Sequence, residues 1–170
     1  MAVQVHWFTP PTARGLIHTC FPSSEVWCPD LFTLIGNTAC LHVNPQTKTW
    51  DDGRAYCLGL NDGSFVTDLA VIEDCEVMNS LWNFIVHKLN KRMNYWIGAT
   101  DNDSEGTWHW LTGSNVQGDV PFWFPEQPDG SNMENCLTIA ENGYFADGAC
   151  NQEYGVICQA PVMTTFRNLE

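Results

Sequence analysis

Side chains that carry oxygen are concentrated between Pro125 and Cys150. The strongest candidates are carboxylates or carboxamides that stand beside a proline or shortly before a cysteine: Gln127, Asp129, Glu134 and Asp147. Ca²⁺ takes about six to eight oxygen ligands from carboxylates, amides and backbone carbonyls. The pattern therefore favours a calcium site on loops that are closed by cysteines. The alternative is a group of solvated loop acids that hold no ion.

The net charge of the chain limits the classes of partner that it can bind. The 170 residues carry a formal net charge of −13, with only 7 lysines and arginines. Binding to a nucleic-acid backbone or an anionic membrane surface requires positive side chains, so the composition argues against both partners. An acidic chain favours cations as ligands, although the same charge also keeps a secreted protein in solution.

The 8 cysteines indicate an oxidising compartment and a disulfide framework, and hence a secreted, extracellular protein. Zinc is the competing explanation, but the sequence has no Cys-x-x-Cys pair and no histidines paired at ligand spacing. The first residues lack the basic and apolar regions of a signal peptide, which predicts a mature form with an added Met1. No apolar run approaches the length of a membrane span.

Two helices are predicted in the first half of the chain. Thr49 is a hydroxyl cap followed by Asp51 and Asp52, which predicts a helix that ends near Gly59. From Asp74 to about residue 90, apolar side chains recur at three- and four-residue steps, the period of an amphipathic helix.

Short strands make up most of the remaining pattern. The predicted strands are 64–69, 95–99, 108–110, 136–139 and 154–158, with a hairpin between Cys28 and Cys40 that turns at Gly36-Asn37. Helices early in the chain and short strands late in the chain indicate an α+β domain of about the size that one core can support.

Three features together carry a resemblance to a known family: Trp96-Ile97-Gly98, Gln127-Pro128-Asp129, and the order of the cysteines. Over about residues 28–160 the chain resembles the long form of the C-type lectin domain, as found in secreted lectins of invertebrates. Residues 1–27 are then an N-terminal arm and residues 161–170 a C-terminal tail. The resemblance implies the C-type lectin fold, an α+β fold with two helices against small antiparallel sheets and a long loop that binds calcium and sugar.

The same resemblance implies a disulfide pairing, namely Cys28–Cys40, Cys57–Cys158 and Cys136–Cys150. It leaves Cys20 and Cys75 unassigned. These two cysteines pair with each other in the favoured reading, because an exposed thiol is a liability in an oxidising compartment. In the alternative, one of them links two chains into a homo-oligomer.

The resemblance also implies the calcium ligands and the sugar-binding residues, which are the same four side chains: Gln127, Asp129, Glu134 and Asp147. The family has a cis peptide bond before the residue that corresponds to Pro128. It has an asparagine where this chain has Ala146, so one oxygen ligand and one sugar-facing donor are missing. We therefore expect weakened, but not abolished, calcium binding.

An auxiliary calcium site in the family uses acids that correspond to Asp101, Glu105 and Glu134. Two further family acids are replaced here by Gly130 and Asn135, which lowers the negative charge. The sequon at Asn102 is a candidate glycosylation site on the same loop. A glycan there would compete with the auxiliary ion for space.

These features predict a secreted Ca²⁺-dependent lectin for galactose or N-acetylgalactosamine, and the resemblance implies innate recognition of microbial glycans. Gln127-Pro128-Asp129 is the family's galactose-type motif. The alternative is a lectin-like fold without sugar binding that presents its loop face to a protein, a mineral or ice. No Ser-His-Asp or Cys-His arrangement suggests catalysis, so we do not expect an enzyme.

Overall fold

The computed structural model describes residues 24–116 and 122–166. Its helices are α1 (Trp50–Leu58) and α2 (Cys75–Asn83), and a single turn of 3₁₀-helix spans Ser131–Met133. Its strands are β1 (Ser24–Trp27), β2 (Thr33–Ile35), β3 (Ala39–Lys48), β4 (Asp68–Leu69), β5 (Tyr95–Thr100), β6 (His109–Trp110), β7 (Cys136–Ile139), β8 (Phe145–Gly148), β9 (Tyr154–Ala160) and β10 (Met163–Phe166).

Both predicted helices are confirmed, and side chains cap both N-termini. The hydroxyl of Thr49 accepts a hydrogen bond from the backbone N–H of Asp52 at 3.2 Å. The Asp74 carboxylate accepts from the N–H groups of Glu76 and Val77 at 2.7 and 3.1 Å. Each cap satisfies donors that lack an intrahelical partner. The second helix continues beyond α2 as a π-helical segment, Phe84–Leu89, and stops at a left-handed residue, Asn90 (φ 51°).

Most strands form one mixed sheet in the order β2-β3-β9-β5-β7-β8, with β4 paired to β9 and β6 paired to β5. The pair β5–β9 is parallel, and the other pairs of this sheet are antiparallel. Strand β8 therefore lies at one end of the strand order. The Pro125–Cys150 segment includes β7 and β8, and its loop before β7 lies beside β8. The predicted strand 64–69 is shorter than expected, because only Asp68–Leu69 pairs.

The ends of the domain differ from the sequence-based boundaries. Strand β1, from the predicted arm, pairs antiparallel with β10, from the predicted tail, so that Trp27 lies opposite Met163. This second sheet extends regular structure beyond residues 28–160 on both sides. The local sequence hardly predicts this sheet, since each strand has only 4 residues and neither alternates clearly between apolar and polar positions.

The indole groups of two tryptophans connect helix α1 to the sheet. Trp96 is fully buried, and its Nε1–H donates to the Lys48 carbonyl at 2.9 Å. Trp50, in α1, donates to the Ile97 carbonyl at 2.9 Å. Both side chains bury a large apolar surface while their polar atoms remain satisfied. They therefore fix α1 and β5 relative to each other.

The three implied disulfides are present: Cys28–Cys40, Cys57–Cys158 and Cys136–Cys150. The Cys57–Cys158 bond joins α1 to β9, and the Cys136–Cys150 bond closes the segment that carries the candidate ligands. Cys75 is exposed and forms no disulfide with any cysteine in the described ranges. Its predicted partner, Cys20, lies outside those ranges.

Candidate functional site

The loop that precedes β7 folds back onto β8 and positions the candidate ligands. The Gln127–Pro128 peptide bond is cis, in agreement with the expectation from the resemblance. The N–H of Gln127 donates to the Phe124 carbonyl at 3.0 Å, and the N–H of Phe124 donates to the Phe145 carbonyl at 3.0 Å. These bonds fix the start of the motif against the edge of the sheet.

Asp147, on β8, organises the loop from the other side. Its carboxylate accepts hydrogen bonds from the N–H groups of Asp129 (3.2 Å) and Gly130 (2.8 Å). Its own N–H donates to Oε1 of Gln127 at 3.1 Å. Only the oxygen of an amide accepts a hydrogen bond, so the nitrogen of Gln127 faces the other way. That Nε2 donates to Oδ1 of Asp129 at 2.6 Å.

Three of the four predicted ligands converge. Carboxylate oxygens of Asp129, Glu134 and Asp147 all lie within 4.8 Å of one another. Ca²⁺–oxygen bonds are about 2.3–2.6 Å long, so oxygens on opposite sides of one ion are at most about 5 Å apart. The spacing of the cluster therefore fits a calcium ion, and the donor set of hard oxygens fits its chemistry. Gln127 is hydrogen-bonded to two of the three acids and completes the predicted set.

The electrostatics of the cluster also fit a cation. Partial burial, together with the negative charges of Asp147 and Asp129, raises the pKa of Glu134 above its ordinary value. Like charges at short range disfavour ionisation unless a positive charge compensates them. A bound divalent cation would supply that charge and lower the pKa of Glu134 again.

The auxiliary-site residues lie where β5 ends and β7 begins. Thr100 pairs with Cys136, so Asp101 and Asn135 are neighbours, and the N–H of Asp101 donates to the Asn135 carbonyl at 3.3 Å. Oδ2 of Asp101 accepts from the N–H of Gly106 at 2.8 Å. Oδ1 of Asp101 and Oδ1 of Asn135 are buried and have no hydrogen-bond partner among the described residues.

Two buried oxygens without hydrogen-bond partners on neighbouring residues need an explanation, because leaving a buried polar atom unpaired costs about 1–3 kcal/mol. A cation between them would satisfy both. Glu105 lies close enough to sense the same charges: partial desolvation and the negative charges of Asp101 and Asp147 raise its pKa. Glu105 is exposed. In the described residues, only Asp129, Glu134 and Asp147 converge as a group of acids, so an auxiliary ion held by Asp101, Glu105 and Glu134 stays a prediction.

Two departures from the family pattern have local structural consequences. A Cβ at Gly130 would collide with the side chain of Glu134, so the acid that the family has at this position does not fit here. Ala146 lies opposite Thr138 on the β7–β8 ladder. Oγ1 of Thr138 is buried without a hydrogen-bond partner in the described part of the chain.

The aromatic residues of the segment divide into buried and exposed groups. Phe122, Trp123 and Phe145 pack under the loop, with ring centroids 5.3 Å (Phe122–Phe145) and 6.0 Å (Trp123–Phe145) apart. Phe145 is 0% exposed, so it does not face a ligand. Phe124, which follows two of these rings in the chain, is 43% exposed, and Tyr144 is 44% exposed. No pattern in the sequence separates Phe124 from the two rings that precede it.

The sequon residue Asn102 is exposed, and its glycosylation stays a prediction. Among residues 24–116 and 122–166, no helix has the length and apolar character to cross a membrane.

The family model of the lectin C-type domain matches residues 46–160. C-type lectin domain family 17, member A, of Homo sapiens is 32% identical over 122 residues, which are 71% of this chain but only 29% of that protein. The chain therefore spans less than a third of that relative's length.

Two solved structures illustrate the similarity of fold. The C-type lectin CEL-I from Cucumaria echinata superposes with a TM-score of 0.68 at 21% identity, covering 82% of this chain and 99% of that one. A calcium-independent type II antifreeze protein superposes with a TM-score of 0.67 at 23% identity, covering 82% of this chain and 98% of that one. At these identities the two structures show the fold alone.

C-type lectin domains are carbohydrate-binding modules rather than enzymes, and they generally bind Ca²⁺. The family model covers most of the chain, and the structure has the fold and the three disulfides that the sequence comparison implies. The chain belongs to the C-type lectin domain family.

Proposed function

We propose that this chain is a secreted, Ca²⁺-dependent lectin that binds galactose or N-acetylgalactosamine. The observation that carries the proposal is the convergence of the Asp129, Glu134 and Asp147 carboxylates within 4.8 Å. Gln127 is hydrogen-bonded to two of these acids. With calcium bound, these residues would hold the ion, and the ion would coordinate two neighbouring hydroxyls of the sugar.

The choice of sugar follows from the order of donors and acceptors. Gln127 presents an amide nitrogen before Pro128, and Asp129 presents an acceptor after it. The motif Glu-Pro-Asn has the reverse order and goes with mannose-type hydroxyl pairs in the family. A hydroxyl that meets two donors, or two acceptors, leaves a polar group unsatisfied at a cost of about 1–3 kcal/mol. This cost favours galactose-type over mannose-type ligands.

Affinity for a single sugar is expected to be weak, because Ala146 supplies neither an oxygen to the ion nor a donor to the sugar. Useful avidity would then require several sites linked together, as in a homo-oligomer that meets a repetitive glycan. Surface polysaccharides of microbes are repetitive, which agrees with a role in innate recognition. The 3 disulfides of the domain agree with an extracellular location.

A second cation is proposed at the auxiliary site, between Asp101, Asn135, Glu105 and Glu134. Its support is the pair of unpartnered oxygens on Asp101 and Asn135. Because Glu134 belongs to both donor sets, occupation of one site would help to keep Glu134 ionised for the other. The number of ions bound therefore separates a single-ion site from a paired one.

Calorimetric titration with Ca²⁺ tests the ion. We expect binding to the wild type, loss of the main site in Asp129→Ala, and loss of at most the auxiliary ion in Asp101→Ala. Asp51→Ala is the matched control, because it removes an exposed carboxylate in the first turn of α1, far along the chain from the loop. Absence of any heat of binding in the wild type would refute the proposal.

A glycan array with and without Ca²⁺ tests the sugar. Stronger retention of galactose than of mannose is expected, and the exchange of Gln127→Glu with Asp129→Asn should shift the preference toward mannose. Stronger retention of mannose by the wild type would overturn the donor–acceptor argument while leaving the ion in place.

The second candidate function is a lectin-like module that binds a protein, a mineral or ice instead of a sugar. It is favoured by Ala146 and by the similarity of fold to a calcium-independent antifreeze protein. A wild-type protein that retains no sugar in Ca²⁺ and that shows thermal hysteresis of freezing would favour this candidate over the lectin.

A further inference from the structure

Two aromatic rings stand exposed beside the proposed sugar site. Phe124 and Tyr144 are 43% and 44% exposed, and their ring centroids are 5.9 Å apart in an edge-to-face arrangement with an interplanar angle of 65°. Neither ring belongs to the buried core clusters of the described chain. The two rings together form what we call the aromatic platform.

The backbone on both sides of the platform is fixed by hydrogen bonds. Phe124 donates its N–H to Phe145 and accepts at its carbonyl from the N–H of Gln127, each at 3.0 Å. Tyr144 donates its N–H to Oδ1 of Asn142 at 3.0 Å and accepts at its carbonyl from the N–H of Ala140 at 2.8 Å. The backbone that carries the two rings is therefore ordered before any ligand arrives, which lowers the entropy that a ligand would have to overcome.

The turn before Tyr144 is fixed by packing as well. Gly143 has a positive φ of 86° and lies against the indole of Trp82, where a Cβ would come within 2.7 Å of a ring carbon. Only glycine fits both conditions without a shift of Trp82. The position of Tyr144 is thus a defined feature of the fold rather than a loose surface side chain.

The platform lies close in the chain to the proposed ion site. Tyr144 stands in the bend directly before β8, two residues before Ala146 and three before the proposed ligand Asp147. Ala146 is the position at which the family has a sugar-facing amide, and here its side chain ends at a methyl group. Phe124 precedes Gln127 by three residues across a hydrogen-bonded turn. A ligand held at the ion would therefore extend past a small side chain toward two rings.

The chemistry of the platform fits a saccharide. Aromatic faces pack against the apolar C–H face of a pyranose ring, and polar neighbours serve its hydroxyls. Exposed polar residues lie near both rings in sequence, namely Glu126, Glu141 and Asn142, and Pro125 follows Phe124 directly. Two rings within a polar surround cover too little apolar area for a protein–protein interface core.

We propose that Phe124 and Tyr144 form a second saccharide subsite, which binds the sugar residue next to the galactose-type residue held by the ion. This inference rests on the proposed function, because the ion-bound residue positions the rest of the glycan. The lectin would then recognise galactose-terminated oligosaccharides rather than free galactose, and the platform would compensate for the donor that Ala146 lacks.

The test compares methyl β-galactoside with three galactose-terminated disaccharides of different linkage: lactose, N-acetyllactosamine and melibiose. We expect the wild type in Ca²⁺ to bind at least one disaccharide about 2- to 13-fold more tightly than the monosaccharide, which corresponds to the energy of about 0.5–1.5 kcal/mol for an aromatic contact. Phe124→Ala with Tyr144→Ala should abolish this ratio and leave the affinity for methyl β-galactoside within about twofold. Tyr144→Phe should keep the ratio because the ring remains. Val66→Ala, at an exposed apolar residue that contributes nothing to the platform, is the matched control.

A second measurement does not depend on the variants. Saturation-transfer NMR on the wild type should show transfer from aromatic protons to the non-galactose ring of the tightest disaccharide. An unchanged ratio in the double variant, or no such transfer, would overturn the subsite and leave the proposed lectin standing. A wild type that binds neither methyl β-galactoside nor any disaccharide in Ca²⁺ would overturn the proposed function and the subsite together.

Discussion

Asp129 and Asp147 belong to the same proposed ion site, yet the structure gives them different roles in the absence of the ion. Asp147 is 8% exposed and accepts hydrogen bonds from the backbone of Asp129 and Gly130. Asp129 is exposed and accepts from the Gln127 side chain. We therefore predict that Asp147→Ala destabilises the calcium-free protein, whereas Asp129→Ala leaves its stability nearly unchanged.

The magnitudes follow from these contacts. A hydrogen bond to a charged group contributes about 1.5–3 kcal/mol when it is buried. The two donors that bond to Asp147 lie in a loop that water can reach, so the loss in Asp147→Ala should total about 2–3 kcal/mol, and Asp147→Asn should lose about half of that. In Asp129→Ala the lost bond to Gln127 is offset by reduced repulsion of Glu134. The net change should lie within about 0.5 kcal/mol, as for an ordinary surface substitution.

Denaturant unfolding with intact disulfides measures these changes, first with a chelator and then with Ca²⁺ at about 100 times its dissociation constant. In the wild type, the ion should add about 2.7 kcal/mol to the free energy of unfolding. Both alanine variants should lose that increment, but only Asp147→Ala should also lose stability in the chelator. Equal stability of the two variants in the chelator would refute the reasoning that Asp147 organises the loop.

Three further predictions concern the loop, the core and the disulfides. The pKa of Glu134 is raised above its ordinary value of 4.5, so the calcium-free protein should lose stability as the pH rises from 4.5 through the raised pKa, which thermal unfolding measures. Calcium affinity should fall on acidification, because the proton competes with the ion, and calorimetry across the same pH range measures this. Gly98→Ala should cost about 1–3 kcal/mol in denaturant unfolding, because the new Cβ would lie 2.8 Å from the Leu69 carbonyl oxygen. Alkylation of the unreduced protein followed by mass spectrometry should leave Cys28, Cys40, Cys57, Cys136, Cys150 and Cys158 unmodified, and a reactive thiol at Cys57 or Cys136 would contradict the fold.

Much of the fold could be predicted because local signals and the disulfide order agree. The caps at Thr49 and Asp74 define both helix starts, and the apolar steps after Asp74 define the face that α2 buries. The π-helical continuation of α2 was not predictable, because a π-turn and an α-turn present nearly the same pattern of apolar residues. The β1–β10 pair was missed for a related reason: two short strands far apart in sequence stabilise each other only through contacts that no local pattern records.

The candidate site, like the fold, could be predicted from the sequence only in part. The identity of its acids could be read from the sequence, since carboxylates and amides beside Pro128 and before cysteines are unusual as a group. Their geometry could not, because it depends on Asp147, whose carboxylate and N–H bond to residues 17, 18 and 20 positions earlier in the chain. The exposure of Phe124 could not be predicted either, because it follows the rings of Phe122 and Trp123 that pack under the loop, and only the turn toward Gln127 places it at the surface.

The two departures from the family pattern are not equivalent, although both lower the number of oxygen ligands. Gly130 is required by packing, since any Cβ there would collide with Glu134; an acid at this position would displace a ligand of both proposed ions. Ala146 is different. It is half-buried, and its cross-strand neighbour Thr138 carries a hydroxyl oxygen that has no hydrogen-bond partner in the described residues. A polar side chain at 146 would therefore lie opposite an unpaired hydroxyl on the neighbouring strand. The weakness expected of the main site thus originates at one strand position, directly before Asp147 of the ion site and two residues after Tyr144 of the aromatic platform.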